Sequence, residues 1–111
     1  MLMAAYIVID RLSVTDPEAF GAYQPLASAT LTRHSGRYVL PDPMSIEALE
    51  GNWRPNRVVL IEFEDAEQAR QWWNSAEYAE ARSIHRQFTI ANVILVEGPT
   101  LRNVAEIATA L

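Results

Sequence analysis

Arg57-Val58-Val59-Leu60-Ile61-Glu62-Phe63-Glu64 is the stretch on which the fold turns. A run centred on Val-Val-Leu-Ile, without Gly or Pro, reads as a strand, and Asp65 directly after it is placed to cap a helix. Its period of two sets Val59, Ile61 and Phe63 against Val58, Leu60, Glu62 and Glu64, so neither face is polar. Tyr6 to Leu12 repeats the pattern, with Ile7 and Ile9 opposite Tyr6, Val8, Asp10 and Leu12; in Ile90 to Glu97, Val93 and Leu95 oppose Ile94 and Val96. A sheet made of such strands needs a cover on both sides.

Helical patterns lie between the strands. Asp16-Pro17-Glu18 carries an N-cap, a proline at the first helical position and an acid at the positive end of the dipole. Phe20, Tyr23, Ala27, Leu31 and His34 then recur at three- and four-residue intervals. Gly36 offers a left-handed stop, and Pro25 predicts a kink or break inside the span. Arg37 to Leu40 reads as a second strand, interrupted by Pro41-Asp42-Pro43 before Ser45 to Glu50 resume an extended pattern. Gly51-Asn52-Trp53-Arg54-Pro55-Asn56 is a turn-rich loop, more readily a folded lock than a ligand contact.

Beyond Asp65, Ala66, Ala69 and Trp72 or Trp73 face inward. Asn74-Ser75 interrupts the helix before Tyr78, Ala81, Arg82 and His85 share a further face. Gly98-Pro99 closes the last strand, and Asn103 to Leu111 has the pattern of a short apolar tail helix. The order β-α-β-(β)-β-α-β makes one α+β domain over residues 1–98 with a tail over 99–111. Two helical segments cover one sheet face; a second copy of the chain is the economical cover for the other, because about 800 Å² per partner makes a stable interface.

Composition narrows the chemistry. The 111 residues carry a net charge of −5, which opposes binding to nucleic acid. Every basic side chain except His is Arg, so no Lys Schiff base can form. There is no Cys, which removes disulfides, thiolate nucleophiles and Cys-ligated metals. Four Gly without a G-x-G-x-x-G or P-loop pattern give no nucleotide fingerprint, and the two His form no metal motif. No cofactor is expected. Met1-Leu2-Met3-Ala4-Ala5 lacks a signal-like positive region and no apolar run reaches bilayer length, so the expected address is cytoplasmic, without membrane contact.

Asp16-Pro17-Glu18-Ala19-Phe20, Gly51 to Val59 with its Trp-Arg-Pro loop, Glu62-Phe63, Ala69-Arg70-Gln71-Trp72 and Ser75-Ala76-Glu77-Tyr78 together resemble the uncharacterised DUF 1330 family, in order, over roughly Ala5 to Gly98. The resemblance implies a ferredoxin-like βαββαβ subunit of the dimeric α+β barrel superfamily. That superfamily includes cofactor-independent monooxygenases, isomerases, haem-degrading enzymes and proteins of no known reaction, so fold alone does not fix chemistry. Arg33-His34-Ser35-Gly36 and Pro41-Asp42-Pro43 depart from the family's more glycine-rich pattern.

Pockets of the superfamily lie between sheet and helices, which selects His34, Arg57, Tyr23 and Trp72 as candidates. His34 is of a residue type suited to general acid or base work, and equally suits the negative end of a helix dipole. Arg57 can orient a carboxylate or pair with Glu62 or Glu64. Tyr23 and Trp72 can hold an apolar ring, although bulky groups at helical spacing are more often core. The expected function is a homodimer binding a small apolar or aromatic acid, with a cofactor-independent monooxygenase or isomerase activity as its catalytic form. A non-catalytic dimeric binding or stress-associated module is the contrasting reading. Asp10, Glu62 and Asn92 share the other sheet face, where a buried carboxylate needs a partner such as Arg37 or Arg11.

Overall fold

The computed structural model describes residues 3–40 and 45–99. Four antiparallel strands form one sheet: β1 (Met3–Val14), β2 (Arg37–Leu40), β3 (Arg57–Phe63) and β4 (Thr89–Pro99), in the spatial order β2-β3-β1-β4. Between β1 and β2 run α1 (Pro17–Phe20), α2 (Tyr23–Leu31) and a 3₁₀ turn, Thr32–His34; between β3 and β4 run α3 (Ala66–Asn74) and α4 (Ala79–Phe88). This is the ferredoxin-like arrangement, with the helices on one side. Among the described residues no helix is long and apolar enough to cross a membrane.

The alternation expected of the strands sets the layers. Ile7 lies between Ile61 and Leu95, and Ile9 between Val59 and Val93, all on the helix side. Ala5, Ile7 and Ile9 join Phe63, Ala69, Trp72, Tyr78 and Ala81 in the core. At its centre the Trp72 ring lies 4.0 Å from Tyr78 and 5.5 Å from Phe63. The indole nitrogen of Trp72 donates to Thr30 Oγ1 at 2.8 Å, and that hydroxyl donates to Ala27 O at 2.8 Å, so both of these buried donors are met. On the far side, Val8 sits between Leu60 and Ile94. Ile90 and Ile94 are each 56% exposed.

Local chemistry explains the helix boundaries. Asp16 accepts from Ala19 N at 3.1 Å and Asp65 from Gln68 N at 2.8 Å, each meeting a first-turn donor. Ser75 ends α3 and holds the turn that leads into α4, donating to Trp72 O at 2.9 Å and accepting from Tyr78 N at 3.1 Å. The first helical span does divide, but at Gly21-Ala22. Pro25 lies in the first turn of α2, where its missing N–H has no intrahelical acceptor to lose.

Three expectations need correction. The left-handed stop is Ser35, at φ 61°, and not Gly36. Gly36 is required by space: a Cβ there would come within 2.7 Å of Phe63 Cε1 and 2.8 Å of Leu31 Cδ2. Ser45 to Leu49 form no strand; this segment belongs to the long connection between β2 and β3, with Ile46 and Leu49 beside Leu40 and Val58. Gly98 and Pro99 do not close β4 but continue it, opposite Ala4 and Met3. Proline is tolerated there because β4 is an edge strand. The rest of the proposed tail, 100–111, and the Pro41-Asp42-Pro43 turn lie outside the described residues.

Gly36→Ala should lower stability by about 1–3 kcal/mol through overpacking against Phe63 and Leu31. Denaturant unfolding checks this, the expected result being a lower midpoint at unchanged slope.

Candidate functional site

One side chain breaks the apolar row on the helix side of β1. Alternation that buries Ala5, Ile7 and Ile9 carries Arg11 to the same face, where only 5% of it is exposed. The β1–β4 register shifts between Arg11 and Ser13, a bulge of the kind that often re-aims a side chain at a site. Arg11 faces Arg57 across β3 and lies under α1 and α2, its guanidinium 4.8 Å from the Phe20 ring centre and 5.7 Å from that of Tyr23. Among the described residues no carboxylate lies within ion-pair distance of Arg11. A small cleft of about 40 Å³ opens beside it, lined chiefly by Phe20, Tyr23, Tyr38, Arg11, Arg57 and Ile61.

His85, on the inward face of α4, forms the floor of this group and is 4% exposed. Arg11 Nε donates to His85 Nε2 at 3.4 Å. His85 Nδ1 is 3.4 Å from Thr89 Oγ1, and that hydroxyl donates to His85 O at 2.6 Å. The hydroxyl proton is thereby committed, which leaves Thr89 Oγ1 to accept from Nδ1–H and Nε2 bare to accept from arginine. Burial, and next the Arg11 charge, lower the His85 pKa from 6.5 to about 4. Tyr23 and Tyr78 share a hydrogen bond between their hydroxyls at 2.9 Å. Burial raises both phenols, so they remain protonated near neutrality. Burial also lowers Arg11, and the charge of Arg57 adds to that effect.

Of the four residues expected at a site, two come together: Tyr23 and Arg57 both line the cleft. Trp72 is fully buried in the core, its indole committed to Thr30. His34 lies in the 3₁₀ turn, with Nε2 3.7 Å from the Glu77 carboxylate and Arg33 3.3 Å from the same group. Neither lines the cleft. The sequence pattern does not pair Arg11 with His85, and Arg11, expected as a carboxylate partner on the other sheet face, lies instead on the helix side because it alternates in step with Ile7 and Ile9. The signal for Arg11 was available, since a charge in register with Ile7 and Ile9 is anomalous; the meeting of residues 74 apart was not. Among the described residues no three His, Asp or Glu side chains gather as metal donors.

On the opposite face, Glu62 finds the partner expected there: Arg37 donates to it through Nε at 2.8 Å, and Tyr6 through its hydroxyl at 3.1 Å. Trp53 Nε1 donates to Asp10 Oδ2 at 3.1 Å, while Arg54 closes its own loop through Gly51 O at 3.0 Å.

A ferredoxin-like sheet with an arginine cleft under its helices defines a class of fold rather than an activity. Within that class the chain belongs to the family described as domain of unknown function DUF1330, whose pattern matches residues 4–99. No curated protein matches the chain in sequence. Among solved structures it is similar to a protein of unknown function from Rhodopseudomonas palustris, at 19% identity and a TM-score of 0.63, over 90% of this chain and 83% of that one. It is also similar to a putative antibiotic biosynthesis monooxygenase from Nitrosomonas europaea, at 19% identity and a TM-score of 0.56, over 89% and 90%. A third is a cofactor-independent oxygenase from Streptomyces nogalater, at 13% identity and a TM-score of 0.54, over 90% and 96%. Identities this low establish a shared fold.

His85 should make stability fall with acid. Because its folded pKa is about 4, below the ordinary 6.5, the unfolded chain binds the proton first as pH drops. The contribution is complete above pH 6.5 and is lost towards pH 4. It amounts to on the order of 2 kcal/mol between pH 7.5 and pH 5. Unfolding curves at those two pH values should differ less in His85→Gln by about that amount.

Proposed function

We infer that this chain is a homodimeric, cytoplasmic binding protein for a small apolar or aromatic acid, held in the cleft between the sheet and α1–α2. The observation that carries the reading is Arg11: a buried guanidinium with no carboxylate partner among the described residues, bordering an open cleft. Burying an uncompensated charge is costly, and aromatic faces offset only part of that. A ligand carboxylate completes the pair, with Arg57 and the Tyr23 ring at the same cleft to orient it. The small cleft suits the carboxylate head, leaving the apolar body of the ligand towards the mouth.

The site favours binding over proton transfer. His85 has both ring nitrogens engaged and is held neutral, and the two buried phenols stay protonated. A cofactor-independent oxygenase or isomerase activity would therefore draw on the substrate's own reactivity, with the cleft supplying orientation. The excess of acidic residues supports neither nucleic acid nor an anionic membrane surface as partner.

The dimer rests on the outer sheet face, where Val8, Leu60, Ile94 and Val96 stand in register. Light scattering at micromolar concentration should give twice the chain mass, and Ile94→Asp should give the monomer. A monomeric wild-type protein removes this part of the proposal.

Arg11→Met, which keeps length and apolar stem, should abolish saturable binding of aromatic acids in calorimetric titration while leaving the melting temperature equal or higher. Removing a buried charge without a partner is often neutral or stabilising. Retained acid binding in this variant overturns the assignment.

A further inference from the structure

We propose that His85 is a positioning residue for this cleft: by accepting the Nε–H of Arg11 it aims the two terminal guanidinium nitrogens at the ligand, so that one planar carboxylate is gripped end-on. The inference rests on the acid-binding reading above and assigns a residue outside the set that lines the cleft.

Three observations converge. A guanidinium has five N–H donors in one plane and can meet a carboxylate either through Nε with one terminal nitrogen or through both terminal nitrogens. The Nε edge is occupied here, since it points at His85 Nε2, 3.4 Å away. The terminal nitrogens donate to no protein group among the described residues, yet neither is shut from solvent, which leaves them facing the cleft that Arg11 borders.

Second, the direction of the bond is fixed from behind. The Thr89 hydroxyl is committed to His85 O, so it receives the Nδ1 proton and leaves Nε2 as acceptor. A histidine turned to the other tautomer would present an N–H to an N–H and drive the arginine away. Third, the plane is held by rings. Phe20 and Tyr23 stack with centroids 5.1 Å apart and both lie against the guanidinium, while His85 is 5.1 Å from Tyr23 and 6.0 Å from Phe20. Four elements, β1, α1, α2 and α4, therefore meet on one cation, and only its fork is left for a ligand.

The test uses the full chain at neutral pH with benzoate and benzamide as probes. Nitrogen-15 spectra of the imidazole ring should show His85 protonated at Nδ1 and bare at Nε2; a proton on Nε2 overturns the proposal without any ligand. In titrations, His85→Phe keeps a ring but removes the acceptor and should weaken benzoate binding at least about tenfold while leaving benzamide unchanged. His85→Gln, which restores an acceptor, should recover most of that loss. Benzoate binding that is unaffected by His85→Phe, or a His85→Gln protein as weak as His85→Phe, overturns the positioning role alone. Wild-type protein that binds no benzoate overturns the acid-binding reading, and the positioning role with it.

Discussion

Strand β1 is paired along both edges and buried on its helix side, and that confinement governs the molecule. Its neighbours β3 and β4 use up its hydrogen-bonding edges, so Ala5, Ile7 and Ile9 point into the helix layer with no freedom of register. The helices are fitted to that row: Ala69 is small where α3 lies beside Ile7, and Trp72 and Tyr78 fill the rest of the core. Slipping β1 by one residue would exchange Ile7 and Ile9 for Val8 and Asp10, placing a carboxylate in the core.

The same strictness delivers Arg11 to the helix side. A period of two that buries residues 5, 7 and 9 buries residue 11, and the chain accommodates the charge with aromatic faces and a neutral histidine rather than with a carboxylate. That choice leaves the positive charge uncancelled. An acid in the same place would have made a closed structural ion pair; rings and an imidazole keep the residue ordered and its fork available. Stability and recognition thus draw on one side chain in opposite senses.

Much of the fold is legible in the residues because it is local. Asp16-Pro17 and Asp65 state where helices start, Ser75 states where one becomes another, and alternation in Tyr6–Leu12 and Arg57–Phe63 states which side chains share a face. Gly36 shows the limit of such reading. Its signal as a turn glycine is local, but its reason is the approach of Phe63, from a strand 27 residues onward, together with Leu31. The site divides in the same way. Tyr23 and Arg57 follow from their placement on the helix and strand that face each other, whereas His85 reaches Arg11 only once α4 is laid across the sheet. His34 and Trp72 had equally suitable chemistry; tertiary packing took one to Glu77 and the other into the core. Ser45–Glu50 has an extended pattern, yet among the described residues no strand pairs with it.

The three tryptophans divide between the core and the loop: Trp72 and Trp73 lie 6.3 Å apart, both against Tyr78, and Trp53 stands away from them. Trp72 is sealed in the centre, Trp73 is half-covered on the neighbouring face of α3, and Trp53 stands 59% exposed in the loop that its indole tethers to Asp10. The chain consequently carries optical reporters of different parts of itself. Quenchers dissolved in water reach Trp53 first, so loop release and core melting register as separate changes in emission. A partner settling on the outer sheet face would alter the light from Trp53 while Trp72 stayed dark to the event.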